Sequence, residues 1–198
     1  MKISIVTACY NNIDTVAKCL SSVANQSYDN IEHVIIDGGS TDGTQEIIKR
    51  YSHVDFFSSE KDKGIYDALN KGLKAATGDI IGFLHSDDIF KSEDVIGQVV
   101  SFFQEKKPLD GVYGDIEFVN EEGKQLRYYS SKKFKEEHFA IGKMPAHTSF
   151  FARKRIYNQY HFKLGYKIAA DYDQMLRVFL SKQFKIEYRP LLTTSMLT

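Results

Sequence analysis

The sequence predicts an α/β fold: a mostly parallel central sheet flanked by helices, with a smaller mixed region in its second half. Three observations carry this. Short runs rich in β-branched residues alternate with helix-spaced segments through the first 90 residues. The second half loses that rhythm and contains a hairpin signature instead. The 198 residues, 42% hydrophobic and 26% charged, are sized and composed for one domain with its own core.

The elements follow in order. "KISIVTAC" reads as a buried strand, and "NNIDTVAKCLSSVANQ" as a helix that Asn12 or Asp14 could cap. "IEHVIID" is a second strand, "GGSTDGT" a tight loop with Thr41 or Asp42 as cap, and "TQEIIKRYS" a helix. "VDFFSSE" is a third strand, "KGIYDALNKGLKAAT" a helix, and "GDIIGFLH" a fourth strand. "DIFKSEDVIGQVVSFF" then reads as the start of a helix. Strands alternating with helices in this way imply a Rossmann-like sheet, whose ligands bind outside the carboxyl ends of the strands. Further on, "GVYGDIEFVN" and "EEGKQLRYYS" form a hairpin through "NEEG", and "AHTSFFARKRIYNQY" is strand then helix. "YKIAADYDQMLRVFLSKQ" is a helix and "FKIEYRPLLTTSM" a last strand.

Bulk properties exclude several classes. Lys plus Arg and Asp plus Glu both number 26, so there is no basic excess of the kind a nucleic-acid binder carries. Cys9 and Cys19 form neither a disulfide framework nor a zinc spacing, which sets a reducing, cytoplasmic expectation. The N-terminus turns polar too early for a signal peptide, and no apolar run approaches the roughly 18 residues of a spanning helix. The expectation is a soluble protein, or one peripheral to the inner face of a membrane.

Polar groups gather at the predicted strand ends: Tyr10 and Asn11 after the first, Asp37 after the second, Glu60 after the third, Asp87 and Asp88 after the fourth. Each alone suits a cap or turn. Four consecutive strand ends carrying them suggest a ligand rim. Adjacent carboxylates repel unless something positive lies near, and a divalent cation is the first candidate. Neither a GxGxxG fingerprint nor a Walker A lysine is present.

"SIVTACYNN", "VIIDGGSTDGT", "EKDKGIYDALNKGLKAATGDIIGFLHSDD" and "KIAADYDQMLRV" together resemble a family 2 glycosyltransferase with the GT-A fold, in order over nearly the whole chain. The resemblance implies a single domain over 1–198, with a nucleotide-binding half (1–90) and an acceptor and catalytic-base half (91–198). Such proteins continue past this point, so it also implies a C-terminally truncated or unusually short member. It implies that Thr7, Tyr10 and Asp37 line a base pocket, that Lys63 or Asp62 contacts the nucleotide, and that Asp87 touches the ribose. Asp88 would bind Mg2+ or Mn2+ carried by the diphosphate. His85 stands where the leading acid of the DxD motif is usual. Asp171 would be the general base of an inverting transfer, while His147 and Asp115 would border the donor or acceptor pocket. The implied partners are a nucleotide-sugar donor, UDP-linked, and a glycan or lipid-linked acceptor in polysaccharide or glycoconjugate assembly. A sugar nucleotidyltransferase and a non-catalytic sugar-nucleotide binder are the rival readings. The first is disfavoured by the absence of a Gly-rich, basic opening in "TACYNN".

Overall fold

A computed structural model describes all residues, 1–198. Its centre is strand β1 (Ile3–Cys9), buried at every residue. Such a run stays apolar because helices cover both faces of a parallel sheet. β1 pairs in parallel with β2 (Ile31–Asp37) and with β4 (Ile80–Phe83), and β2 pairs with β3 (Val54–Ser59). In register, Cys9 lies opposite Asp37, so the ends of β1 and β2 share one edge. Helices α1 (Val16–Ala24), α2 (Thr44–Ile48) and α3 (Ile65–Ala75) connect these strands.

Beyond β4 the sheet turns mixed. β8 (Phe150–Arg153) pairs antiparallel with β4 and with β6 (Gly111–Val119), and β9 (Ile186–Leu197) runs parallel to β6. β7 (Gln125–Tyr129) forms the expected hairpin on β6. The remaining helices are α4 (Val95–Phe103), α5 (Lys154–Gln159) and α6 (Ala170–Leu180). No helix is long and apolar enough to cross a membrane.

The stretch after β4 departs from expectation. Residues 88–90 are not the start of a helix: Asp88–Phe90 is a short strand, β5, paired antiparallel with β9 through Asp88 and Met196, Ile89 and Ser195, and Phe90 and Thr194. The helix begins only at Val95. The chain therefore leaves β4, crosses the rim through His85, Ser86 and Asp87, and rejoins the same sheet at its opposite end. Two caps also differ. α1 starts after Thr15, and the Asn12 backbone carbonyl, rather than a side chain, receives the Val16 amide at 3.0 Å. α6 starts at Ala170, because Ala169 takes a left-handed conformation (φ 68°) that ends the preceding loop.

Candidate active site

The loops at the carboxyl edge of β1 and β2 are tied to each other by short polar residues. The Asn11 amide donates to Ser40 Oγ (2.8 Å), the Thr41 amide to Asn11 Oδ1 (3.0 Å), and the Asn12 amide to Thr44 Oγ1 (2.9 Å). Asn12 Oδ1 in turn accepts from Ser86 Oγ at 2.8 Å, which draws the segment after β4 into the same network. Asn11 holds φ 50°, a conformation that Asn tolerates better than most residues. This explains why "NN" and "GGSTDGT" face each other in space: each supplies donors for the other's acceptors.

Above this floor lies a cavity of about 600 Å³. Tyr10 and Asn12 come from the end of β1, Gly38 from the end of β2, Lys61 and Asp62 from the loop after β3, and Ser86 and Asp87 from the rim after β4. Gly38 lets Asp62 and Tyr10 close in on the wall, because a Cβ at this position would lie 2.8 Å from Asp62 Oδ2 and 3.3 Å from the Tyr10 ring and would push the Asp62 carboxylate aside. Asp62 is anchored by the Gly64 amide on its other oxygen (2.8 Å).

A second cavity, of about 360 Å³, adjoins the first and shares His85 and Met196 with it. Asp171, His147, Arg127 and Tyr129 line it. Asp171 is the second residue of α6 and accepts a hydrogen bond from Tyr66 Oη at 3.0 Å. Burial, then the charge of Asp171, raises the Tyr66 phenol, so it stays a donor at neutral pH. The left-handed Ala169 just before α6 costs about 1–2 kcal/mol for a non-glycine residue, and it fixes the angle at which Asp171 enters the cavity. His147 stacks on Phe83 at 4.7 Å, and its Nε2 has no partner. Burial first, then His85, holds its imidazole down to about 4. Burial likewise lowers His85, against the pull of Asp87 and Asp171, so both rings are neutral at pH 7.

The nine residues expected at the site are distributed unevenly. Tyr10 and Asp87 line the first cavity, and Asp171 and His147 the second. Thr7 and Asp37 lie behind the wall. Thr7 Oγ1 is bonded to His33 Nε2 (3.0 Å), and the fully buried Asp37 accepts from the Gly39 and Ser40 amides and from the Ser40, Ser59 and Cys9 side chains. Those hydrogen bonds hold the Asp37 carboxyl below its usual range in spite of burial. Lys63 is exposed and lines neither cavity, while its neighbours Lys61 and Asp62 occupy the wall of the first. Asp115 is enclosed by the Tyr128 and Tyr188 hydroxyls (2.6 and 2.8 Å) and the Ser131 amide (2.7 Å), so it clamps β7 to β9 and lines neither cavity.

The acidic pair is split. Asp87 is exposed on the first cavity's wall and makes no hydrogen bond or ion pair, whereas Asp88 is 1% exposed and lines neither cavity. The cause is the pleat of β5, which turns Asp88 and Phe90 inward and Ile89 outward. Both Asp88 oxygens lack a hydrogen-bond partner. Burial, then Asp87, drives its carboxyl up to about 8. The chain contains no cluster of three or more acidic, histidine or cysteine side chains able to enclose a metal. A free carboxylate at Asp87 fits a cation that takes most of its ligands from a bound diphosphate and water, as Mg2+ commonly does. Sequence reasoning missed Met196 and Arg127, which reach the site from distant strands and have no local signature.

Known proteins agree with this architecture. Residues 4–175 match the family described as Glycosyl transferase family 2. An uncharacterized glycosyltransferase of Mycobacterium tuberculosis is 33% identical over 186 residues, covering 90% of this chain and 69% of its own length. A PGL/p-HBAD biosynthesis glycosyltransferase of Mycobacterium bovis is 28% identical over 197 residues, covering 97% and 75% respectively. The S. aureus TarS 1-349 structure in complex with UDP superposes with a TM-score of 0.81 at 20% identity, over all of this chain and 61% of that one. The mannosyltransferase PcManGT from Pyrobaculum calidifontis, in complex with GDP-Man and Mn2+, gives 0.71 at 16% identity and 56% of its length. The chain thus spans about three fifths of each of these two structures. The curled α/β sheet is the GT-A glycosyltransferase fold, and the chain belongs to glycosyl transferase family 2.

Proposed function

We propose that this chain transfers a sugar from a nucleotide-sugar donor, UDP-linked, to an acceptor hydroxyl with inversion at the anomeric carbon, in polysaccharide or glycoconjugate assembly. The observation that carries the reading is the pair of adjoining cavities that meet at His85 and Met196. A donor in the first cavity would present its anomeric carbon toward the second, where Asp171 waits for an acceptor. The UDP complex of TarS, which shares the fold, supports the choice of nucleotide.

The residues divide the work as follows. Tyr10 offers an aromatic face to the base and Asp62 an acceptor for its polar edge, while Thr7 and Asp37 hold that wall rigid from behind. Lys61 and Asp87 flank the diphosphate. A Mg2+ or Mn2+ ion held at Asp87 would neutralise charge growing on the departing diphosphate. Without a cation, burial keeps Asp88 protonated behind it, so the acidic pair then carries one negative charge at neutral pH rather than two. Asp171 takes the proton of the acceptor hydroxyl as that oxygen bonds to the anomeric carbon and the carbon–diphosphate bond breaks. Tyr66 fixes the carboxylate's orientation by its hydrogen bond.

Calorimetric titration of UDP tests this, with Mn2+ and with EDTA, on the native chain and on Asp87→Ala. The expected outcome is metal-dependent binding that Asp87→Ala weakens at least ten-fold. Absence of UDP binding under both conditions would overturn the donor assignment and direct the search to GDP.

A further inference from the structure

The second cavity carries a feature that general base chemistry does not need. Arg127, on β7, lies directly opposite Phe118 on β6, and its guanidinium rests 3.9 Å above that ring's centroid. The guanidinium makes no hydrogen bond or ion pair with any part of the protein and is solvent-exposed, whereas Tyr129 and Asp171 in the same lining are both engaged. Two residues along the same pleat, Tyr129 also faces the cavity, with its hydroxyl donated to the Met144 carbonyl at 2.6 Å. Tyr128 between them turns to the other face to reach Asp115. The β7 hairpin thus places Arg127 at the cavity by register, with its guanidinium over the Phe118 ring in a cross-strand cation–π contact.

The cavity's charge pattern is simple. Arg127 is the one lysine or arginine in its lining and Asp171 the one carboxylate. The guanidinium's N–H donors are all free of protein partners, and their planar fork matches a carboxylate or phosphate bidentately. An acceptor with an anionic group at one end and a free hydroxyl at the other would be oriented by this pair: anion on Arg127, hydroxyl toward Asp171. A neutral acceptor would leave the guanidinium unmatched and gain nothing from its placement.

We propose that the chain selects an anionic acceptor, one bearing a phosphate or carboxylate, and that Arg127 is the residue that reads this charge. The inference rests on the reading of the second cavity as the acceptor site. Arg127 acts in binding and takes no part in proton transfer.

The test uses the intact chain with its first cavity filled by UDP and Mg2+, so that added anions meet the second cavity rather than the cation. Glucose 1-phosphate, glucuronate and glucose are titrated in turn while arginine side-chain Nε–Hε resonances are followed by NMR, on the native chain, Arg127→Gln and Arg127→Lys. The Arg127 signal is the one missing from both variants. We expect at least one of the two anions to shift it and to bind at least ten-fold more tightly than glucose. Arg127→Gln should erase that preference, and Arg127→Lys should retain part of it, with UDP affinity unchanged in both. Tighter binding of glucose 1-phosphate assigns a phosphate-bearing acceptor, and tighter binding of glucuronate a uronate-bearing one. Equal binding of anions and glucose, or no binding of either anion, would overturn the proposal. So would a parallel loss of UDP affinity in Arg127→Gln, which would place the guanidinium on the donor diphosphate. If UDP itself fails to bind, the donor reading falls, and the same titrations on the unliganded chain still decide the role of Arg127.

Discussion

Replacing Asp88 by asparagine separates two roles for the acidic pair. The Asp88 carboxyl is 1% exposed, its oxygens are unpartnered, and burial followed by Asp87 raises it to about 8. An unfolded aspartate titrates near about 3.9. Between those values the folded chain must keep a proton that the unfolded chain releases, so this group's contribution to stability falls as pH rises from about 4 to about 8. At about pH 7 the difference approaches three pH units, or about 4 kcal/mol as an upper figure, at about 1.4 kcal/mol per unit. Relaxation around a buried charge reduces this, and a gain of about 2–4 kcal/mol for Asp88→Asn is expected at pH 7. At about pH 4 both side chains are neutral and the gain should vanish.

Urea unfolding at the two pH values measures this directly. EDTA is included so that no cation beside Asp87 stabilises the charged form. A destabilised Asp88→Asn at pH 7, or a change of equal size at both pH values, would refute the reasoning. The same variant decides the metal contact. With Asp87 as the cation's ligand, Asp88→Asn should keep metal-dependent UDP binding within about two-fold. Loss of that binding would return the ligand role to Asp88, where the sequence first suggested it.

Two further outcomes follow from the same geometry. Asp171→Asn should lower turnover by about 10²–10⁴-fold while leaving UDP affinity unchanged, because general base catalysis contributes on that scale. Tyr66→Phe, which removes one hydrogen bond to Asp171, should cost about ten-fold in kcat with little change in KM, as read by steady-state transfer assays. At the opposite end of the strands, Glu32 accepts from Lys2 Nζ (2.7 Å), the Thr77 amide (2.6 Å) and the Ser4 and Thr77 hydroxyls. These donors hold its carboxyl down to about 2 in spite of burial. Its stabilising contribution is therefore present above about pH 4.3, the unfolded value, and is lost as pH falls toward about 2. Glu32→Gln should cost about 2 kcal/mol in urea unfolding at pH 7, and far less near about pH 2.5, without affecting UDP binding.

How much of this was legible in the sequence depended on the distance over which each decision is made. The strand–helix alternation of the first half could be read because hydrophobic periodicity is local, and a parallel sheet then fixes which edge gathers the strand ends. Tyr10 and Asp87 reach the first cavity on that logic, whereas Asp171, on a late helix, was named by the family resemblance alone. The hairpin of β6 and β7 was also legible, since its turn residues lie within it. What could not be read was the direction of individual side chains at the rim. Asp37 is indistinguishable in sequence from a ligand-facing acid, yet serines 40 and 59 consume its oxygens from two different segments. Asp88 and Asp87 are neighbours with the same chemistry, and only the pleat of β5 distinguishes them. That pleat is set by pairing with Thr194, Ser195 and Met196, at the far end of the chain. Met196 enters the site through that same pairing, and Arg127 through its register with Phe118. Composition at strand ends therefore identifies the edge that holds the chemistry, while the choice of which carboxylate meets the ligand belongs to strand register. A sliding of β9 by one residue against β5 would exchange the faces of its side chains and withdraw Met196 from both cavities, leaving every motif in the sequence unchanged.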